Sequence, residues 1–169
     1  MLKVAGYNNN CLCTKENIKP FNGNQIVNPP GNSYLDLSKI VSYSVYCYHS
    51  VWVTKDGHAY ALGDNTDKQI WGELPGKLLD KETEIRILKK NGHRLIPLSA
   101  VCGRLYTLYL VQSTETPLVY VHNKNKGIPI FLNINGLKPI KLFGGLNNSV
   151  VVTEDGSILL INDSVLDSE

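Results

Sequence analysis

The sequence predicts an all-β fold made of about three repeated units, each with four antiparallel strands. Two observations lead to this prediction: a segment near position 50 recurs near position 150, and Asn-Gly or Asp-Gly pairs separate apolar runs. Self-similarity of this kind is the signature of a repeat architecture. A helix-length period of 3.6 residues with capping residues does not occur in the sequence, and the best helix candidate, 74–90, is broken by Pro75-Gly76.

The repeated segment reads HSVWVTKDGHAYALGDN at 49–65 and NSVVVTEDGSILLIND at 148–163. A weaker third copy lies between them. It begins at Cys102-Gly103, which corresponds to Gly144-Gly145 of the last copy, and it aligns Tyr106-Thr107 with His49-Ser50. The chain therefore contains three copies of one unit.

Turn signals divide each unit into strands. Asn91-Gly92 and Asn135-Gly136 each separate two apolar-rich runs, which predicts a hairpin with a type I′ turn. Asp56-Gly57 and Asp155-Gly156 predict a second tight turn in the repeated segment. Each unit is then strand, Asn-Gly turn, strand, Gly-rich connection, strand, Asp-Gly turn, strand, which is the size of a propeller blade. The predicted fold is a partial β-propeller.

The apolar runs indicate blades that stack. Residues 150–152 and 158–161 are continuously apolar rather than alternating, which is typical of strands buried on both faces. Trp52, Tyr109 and Val151 occupy equivalent positions, where we expect packing against the next blade. We predict one domain over 1–169, with units at roughly 1–20 (partial), 38–76, 84–125 and 128–163, and a surface loop at 22–34.

Composition excludes several classes of protein. The net charge of +2 does not indicate direct nucleic-acid binding. The sequence contains no run of 18 apolar residues, so it predicts no membrane-spanning helix. Without an apolar segment typical of a signal peptide, the expected location is the cytoplasm or nucleus. The four cysteines match neither a disulfide framework nor a zinc pattern, Cys11-x-Cys13 included, so we expect reduced thiols and no metal.

The best copy resembles the repeat of the regulator of chromosome condensation family. The resemblance is carried by His49-Ser50, Thr54, Asp56-Gly57, Tyr60, Gly63 and Asn65, and in the last copy by Gly144-Gly145, Ser149, Thr153 and Asp155-Gly156. It implies a β-propeller, which in that family has about seven blades. This chain has material for about three, so an open stack would expose apolar faces at its ends. The family's exit motif Gly-x-Asn-x-x-Gly-Gln-Leu-Gly is altered here to GDNTDKQIWGELPG at 63–76.

Residues that recur from copy to copy are best explained by the needs of the blade. The set assigned to the structural repeat is His49, Ser50, Asp56, Gly57, Gly63, Gly103, Gly144, Gly145, Asp155 and Gly156. The aspartates lie beside turn glycines, and His49 is replaced by Tyr106 and Asn148 in the other copies, which favours a strand-edge hydrogen-bonding role over a general base. With no Gly-x-Ser-x-Gly elbow, we predict no enzyme, no catalytic residues and no cofactor.

Candidate binding residues are those that do not recur. A basic cluster surrounds the first Asn-Gly pair: Arg86, Lys89, Lys90, His93 and Arg94. It could contact an acidic partner or phosphates, or simply keep a strand edge soluble. Trp71 is a second candidate, either as an exposed anchor for a partner or as a residue that packs between blades.

These observations favour a non-catalytic module that binds an as yet unidentified protein partner. The family resemblance implies an alternative, guanine-nucleotide exchange on a small GTPase of the Ran type with chromatin association. No exchange residue of the family maps onto this sequence. A further alternative is a targeting or regulatory segment of a larger polypeptide.

Overall fold

The structure is a computed structural model that describes residues 38–46, 48–71, 74, 76, 78–87, 94–113, 117–123 and 130–162. The described residues form eleven strands and no helix. The strands make three antiparallel sheets, each running in chain order. The predicted all-β fold with about three blades is therefore confirmed.

The first two sheets have four strands each. The first contains β1 (Ile40–Tyr46), β2 (His49–Thr54), β3 (Ala59–Asp64) and β4 (Leu78–Ile85). The second contains β5 (Ile96–Cys102), β6 (Tyr106–Gln112), β7 (Leu118–Asn123) and β8 (Ile130–Phe131). The first sheet thus extends beyond position 76, where the sequence repeat placed the end of its first unit.

The third sheet has three strands among the described residues. These are β9 (Pro139–Gly144), β10 (Asn148–Thr153) and β11 (Ile158–Asn162), with β10 in the centre. The Asp56-Gly57 and Asp155-Gly156 pairs each join the second strand of a sheet to the third, as the repeat predicted.

The three sheets stack in chain order, and each of the two interfaces contains an apolar cluster. One buried cluster joins the first two sheets and includes Val51 and Tyr109, and another joins the last two and includes Leu108 and Val151. We call the side of a sheet that points toward the next sheet in the chain its following face, and the opposite side its preceding face. Because the second sheet is covered on both faces, β6 is buried without interruption from Tyr106 to Val111.

Two predictions about packing direction and connectivity need correction. Trp52, Tyr109 and Val151 do occupy equivalent positions, but Tyr109 and Val151 pack against the previous sheet, not the next. Asn135-Gly136 does form a tight turn with positive φ at both residues (54° and 75°) and a 3.0 Å hydrogen bond from Leu137 N to Ile134 O. That turn links β8 of the second sheet to β9 of the third and is therefore no hairpin.

Several predictions fall outside the described residues. They concern the partial unit at 1–20, the loop at 22–34, the Asn91-Gly92 pair, and the cysteines at positions 11, 13 and 47. Cys102 is described and is a free, buried thiol.

Candidate functional site

His49 lies at the interface between the first and second sheets. Its side chain is fully buried, and Nε2 is 2.9 Å from Oγ1 of Thr107 on β6. The Thr107 hydroxyl donates to the backbone oxygen of Gln69 at 2.8 Å, so it accepts from an Nε2–H of His49. His49 is therefore a hydrogen-bonding residue, as expected, but it bridges two sheets and does not lie at a strand edge.

Tyr106, the equivalent of His49 in the second sheet, makes the same kind of bridge to the third. Ser149 Oγ donates to its hydroxyl at 2.6 Å, and the hydroxyl lies 2.9 Å from the backbone oxygen of Gly145. The same pair of equivalent positions thus connects both interfaces: His49 to Thr107, and Tyr106 to Ser149. In the third sheet the equivalent of His49 is Asn148, which is exposed.

Two glycines of the repeat lie where neighbouring groups come too close for a side chain. A Cβ on Gly103 would lie about 2 Å from the ring of Tyr106. A Cβ on Gly144 would lie 2.6 Å from the backbone oxygen of Cys102, where the third sheet approaches the second. Gly103 and Gly144 therefore permit close contact near the inter-sheet bridges.

Burial lowers the pKa of His49 from 6.5 to about 4, and this depression is reduced by the charge of Asp64 and by a backbone hydrogen bond with Tyr106. Among the described residues Nδ1 of His49 has no hydrogen-bond partner within bonding distance, and the cost of burying a charge exceeds the favourable effect of Asp64. His49 is accordingly neutral in the folded protein at pH 7, which suits a packing residue.

A pH dependence of stability follows from this depressed pKa. Because the unfolded chain binds a proton near pH 6.5 and the folded chain only near pH 4, folding loses stability as the pH falls between these values, by about 3 kcal/mol in total. Urea titrations at pH 7, 6, 5 and 4 measure this loss. The control is His49→Asn, the residue at the equivalent position 148, which should be less stable at pH 7 but lack this component of the slope. An equal slope in the variant would contradict the assignment.

The altered exit motif keeps an ordered structure. The Asn65 carboxamide accepts from the backbone N of Ile70 at 2.9 Å and donates to the backbone oxygen of Trp71 at 3.2 Å. Lys68, which stands where the family motif has glycine, adopts the left-handed conformation that glycine would, with φ 64°. Thus the change at position 68 leaves the path of the backbone intact.

Trp71 ends this segment in a pocket between the first two sheets. It is only 2% exposed and lies edge-on to Tyr109, with ring centroids 5.7 Å apart, and 6.4 Å from Tyr120. The neighbouring Ile70 accepts a 2.9 Å hydrogen bond from the Tyr109 hydroxyl. Of the two roles predicted for Trp71, the structure favours packing between blades, and burial argues against a partner contact.

The repeated aspartates stabilise turns. Asp155 accepts hydrogen bonds from Thr153 Oγ1 (2.6 Å) and from the backbone N of Ser157 (3.1 Å), and these bonds lower its pKa. The pKa of Asp56 is lowered too, first by a hydrogen bond with Thr54. Both carboxylates are exposed and belong to turns at the same rim of the stack.

The basic cluster is described only at its two ends. Arg86 and Arg94 are exposed, whereas positions 88–93, which include Lys89, Lys90 and His93, lie outside the described residues. Arg94 donates to the backbone oxygen of Gly57 at 3.1 Å and lies 3.8 Å from Glu84. Glu84 also bonds His58 at 2.9 Å, which lowers the pKa of Glu84. Part of the positive charge is thus already paired with a carboxylate of the first sheet.

The following face of the third sheet is exposed and mostly apolar. Its two rows across β9, β10 and β11 are Phe143–Val150–Leu160 and Lys141–Val152–Ile158. Leu160 is 65% and Ile158 is 72% exposed. The Lys141 ammonium lies 4.9 Å from the centre of the Phe143 ring. This face was not among the site residues predicted from the sequence, although the prediction of exposed end faces pointed toward it.

Neither a metal site nor a membrane-spanning helix occurs in the part of the chain that the structure describes. In ranges 38–162, apart from the gaps given above, no three His, Cys, Asp or Glu side chains are grouped as a metal site would require. Within the same ranges there is no long apolar helix of the kind that spans a membrane.

The three stacked antiparallel sheets, joined by hydrogen bonds, define the class of fold: part of a β-propeller of the regulator of chromosome condensation (RCC1) type. Human WBSCR16 superposes with a TM-score of 0.68 at 15% identity, over 95% of this chain and 47% of that one. Prp20p from Saccharomyces cerevisiae superposes with a TM-score of 0.64 at 16% identity, over 95% and 40%. Yeast RCC1 (Prp20), in its complex with Kap60, superposes with a TM-score of 0.58 at 16% identity, over 83% of this chain and 34% of that one.

The likeness to these proteins is one of fold, and the chain spans less than half the length of each. No protein-family model matches the sequence. No curated protein matches it either.

Proposed function

We propose that the chain is a non-catalytic protein-interaction module whose stacked sheets present an apolar end face to a protein partner. The observation that carries this proposal is the following face of the third sheet, where Leu160 and Ile158 are largely exposed beside Phe143. A contiguous apolar patch on a stable scaffold is typical of a protein contact site.

The polar residues of the repeat support a non-catalytic role. His49 bonds Thr107 across one interface, and Tyr106 bonds Ser149 across the other. These four side chains are therefore buried and hold the sheets together. Enzymes need such groups accessible to a substrate.

Site-specific photo-crosslinking tests the proposal. A photoreactive residue at position 158 of the full chain, expressed in cells, should give discrete protein adducts on irradiation. The matched control carries the same residue at position 146, an exposed leucine in the loop between β9 and β10. Absence of adducts at 158, or the same adducts from both positions, would contradict the proposal.

The basic cluster of Arg86, Lys89, Lys90 and Arg94 remains a second proposed contact, for an acidic partner. Exchanging Arg86, Lys89 and Lys90 for glutamate should release such a partner in quantitative affinity capture. The control is Lys138→Glu. Lys138 lies just before β9 and pairs at 2.9 Å with Glu154, which lies just after β10. If the wild type, the triple variant and Lys138→Glu all retain the partner equally, the basic cluster is not a contact.

Guanine-nucleotide exchange on a Ran-type GTPase is the alternative function. Its support is structural likeness to Prp20p, whose structure was determined together with its binding properties to Gsp1p and histones. Release of labelled GDP from a Ran-type GTPase distinguishes the two functions. An interaction module should leave the release rate unchanged at substoichiometric amounts, whereas acceleration there would favour exchange.

A targeting or regulatory segment of a larger polypeptide is a third proposal compatible with the same surface. A location in the cytoplasm or nucleus is the corresponding expectation for all three.

A further inference from the structure

We propose that residues 6–13 pack on the preceding face of the first sheet, and that the backbone oxygen of Leu12 accepts a hydrogen bond from the Ser50 hydroxyl. Residues 6–13 lie outside the described residues, so the inference is drawn from the described surface that they would cover. That surface is at the opposite end of the stack from the proposed partner contact, and the inference does not depend on that contact.

Two apolar side chains on the preceding face of the first sheet are buried, although no other described sheet lies on that face. Trp52 on β2 and Leu62 on β3 are each 1% exposed. Among the described residues their apolar cluster is completed only by Ile40 and Tyr60, which belong to the same sheet. Side chains of one sheet flank each other but do not cover its outward side. Another segment of the chain therefore lies over β2 and β3.

The Ser50 hydroxyl is buried on the same face without a hydrogen-bond partner among the described residues. The equivalent hydroxyls of the other two sheets both bond to the preceding unit. Thr107 donates to the backbone oxygen of Gln69 at 2.8 Å, and Ser149 donates to the Tyr106 hydroxyl at 2.6 Å. Because a buried hydroxyl without a partner is costly, we expect an acceptor above Ser50 as well.

At the equivalent place on the second sheet, the covering element is residues 63–71, which we call the exit segment of the first unit. Its residue Ile70 accepts a 2.9 Å hydrogen bond from the Tyr109 hydroxyl, and Trp71 lies edge-on to the same ring. Tyr109 occupies the position of Trp52 in its own sheet. An exit segment of an earlier unit would therefore cover Trp52 in the same way.

The exposure of the first sheet agrees with cover by an exit segment alone. Tyr43 and Val45 on β1 are 36% and 42% exposed, in contrast to the buried residues of β2 and β3. In the second sheet the equivalent of Val45 is Cys102, which is covered by the first strand of the preceding sheet: its backbone N donates to Ser44 Oγ at 2.9 Å. An exit segment lies over the two central strands and leaves the first strand open.

Residues 6–13 carry the sequence pattern of an exit segment. Gly6-x-Asn8 corresponds to Gly63-x-Asn65. The same alignment pairs three further positions: Cys11 with Lys68, Leu12 with Gln69, and Cys13 with Ile70. Asn65 holds the exit segment of the first unit by accepting from the backbone N of residue 70 at 2.9 Å, and Asn8 can hold residues 6–13 in the same way. Leu12 then presents its backbone oxygen to position 50.

Alkylation of two native cysteines in the full wild-type chain tests this placement. Ile70, the equivalent of Cys13, is fully buried, whereas Lys68, the equivalent of Cys11, is half-buried. A short pulse of iodoacetamide, located by fragment mass spectrometry, should therefore label Cys11 at least about 10-fold faster than Cys13. The same chain in urea gives the intrinsic rates of the two thiols, which should be similar. Equal rates in the folded chain would overturn the inference.

Three consecutive asparagines supply a matched pair of variants. Asn8→Ala removes the equivalent of Asn65 and should raise the labelling rate of Cys13 to that of Cys11. Asn9→Ala, at the equivalent of the exposed position 66, should leave Cys13 protected. Cys102, which is buried between the first two sheets, should stay unlabelled in both variants, because only the segment is released. A Cys13 that remains protected in Asn8→Ala would contradict the alignment.

An NMR measurement on the wild-type chain tests the contact with the first sheet directly. Nuclear Overhauser effects should connect the indole protons of Trp52 with the side chains of Leu12 and Cys13. Contacts from Trp52 to a different segment, such as residues 22–34, or to none outside the first sheet, would overturn the inference. Because position 158 lies at the other end of the stack, a failure here leaves the proposed partner contact standing, and the reverse also holds.

Discussion

Replacing Gly63 with alanine is expected to lower the free energy of unfolding by more than about 3 kcal/mol. Gly63 has φ 105°, a conformation that side chains rarely adopt. A Cβ there would also lie 2.4 Å from the backbone oxygen of Tyr48 and 2.7 Å from Cα of His49. Both obstacles are backbone atoms at the point where β2 begins, so they cannot move aside without separating β2 from β3. Urea denaturation of the purified variant measures the effect.

Gly156→Ala is the matched control for Gly63→Ala. Gly156 also has a positive φ, 86°, but among the described residues beyond its chain neighbours no atom lies within 4 Å of the position that a Cβ would take. Its substitution should therefore carry only the cost of the backbone conformation, about 1 kcal/mol. Equal losses at the two positions would show that the close approach of β2 to Gly63 contributes little.

Trp71→Ala is expected to lower the free energy of unfolding by about 4 kcal/mol, because it removes a large side chain from the joint between the first two sheets. The cavity would lie against Tyr109 and Tyr120, whose rings contact Trp71. Thermal or urea denaturation measures the loss. This experiment also separates the two roles that the sequence left open, since a partner anchor would affect binding with little change in stability.

Leu78→Ala provides the comparison for Trp71→Ala. Leu78 is a similarly apolar residue at the start of β4, but it is 47% exposed, so its truncation should change stability by less than about 0.5 kcal/mol. A loss at Trp71 as small as that at Leu78 would contradict the packing role.

The sequence predicted the local features of the fold well because they depend on neighbouring residues. The Asp-Gly pairs marked the turns between second and third strands, and the recurring segment gave the number of sheets. The backbone of the Asn135-Gly136 turn also has the positive φ values expected of these residues. What the turn signal could not specify is the sheet that each flanking strand joins. That choice depends on hydrogen bonds between residues far apart in the chain.

The interaction surfaces were harder to predict because burial is set by stacking. Trp71 lies within the altered exit motif, and its contacts with Tyr109 and Tyr120 on another sheet show that it is internal. The exit motif is altered at Lys68, yet Lys68 has φ 64°, in a loop that Asn65 holds by accepting a hydrogen bond from the backbone N of Ile70. Conversely, the uniformly apolar residues 158–161 predicted a strand buried on both faces, yet Ile158 and Leu160 are exposed, because they lie on the outer face of the last described sheet.

The Cys102 thiol can report on opening of the interface between the first and second sheets. Burial raises the pKa of its thiol to about 12, and the side chain is inaccessible in the joint between β1 and β5. A thiolate-seeking reagent can reach it only when those two strands part. The rate at which Cys102 is alkylated, followed by peptide mass spectrometry, therefore measures how often the first two blades separate transiently.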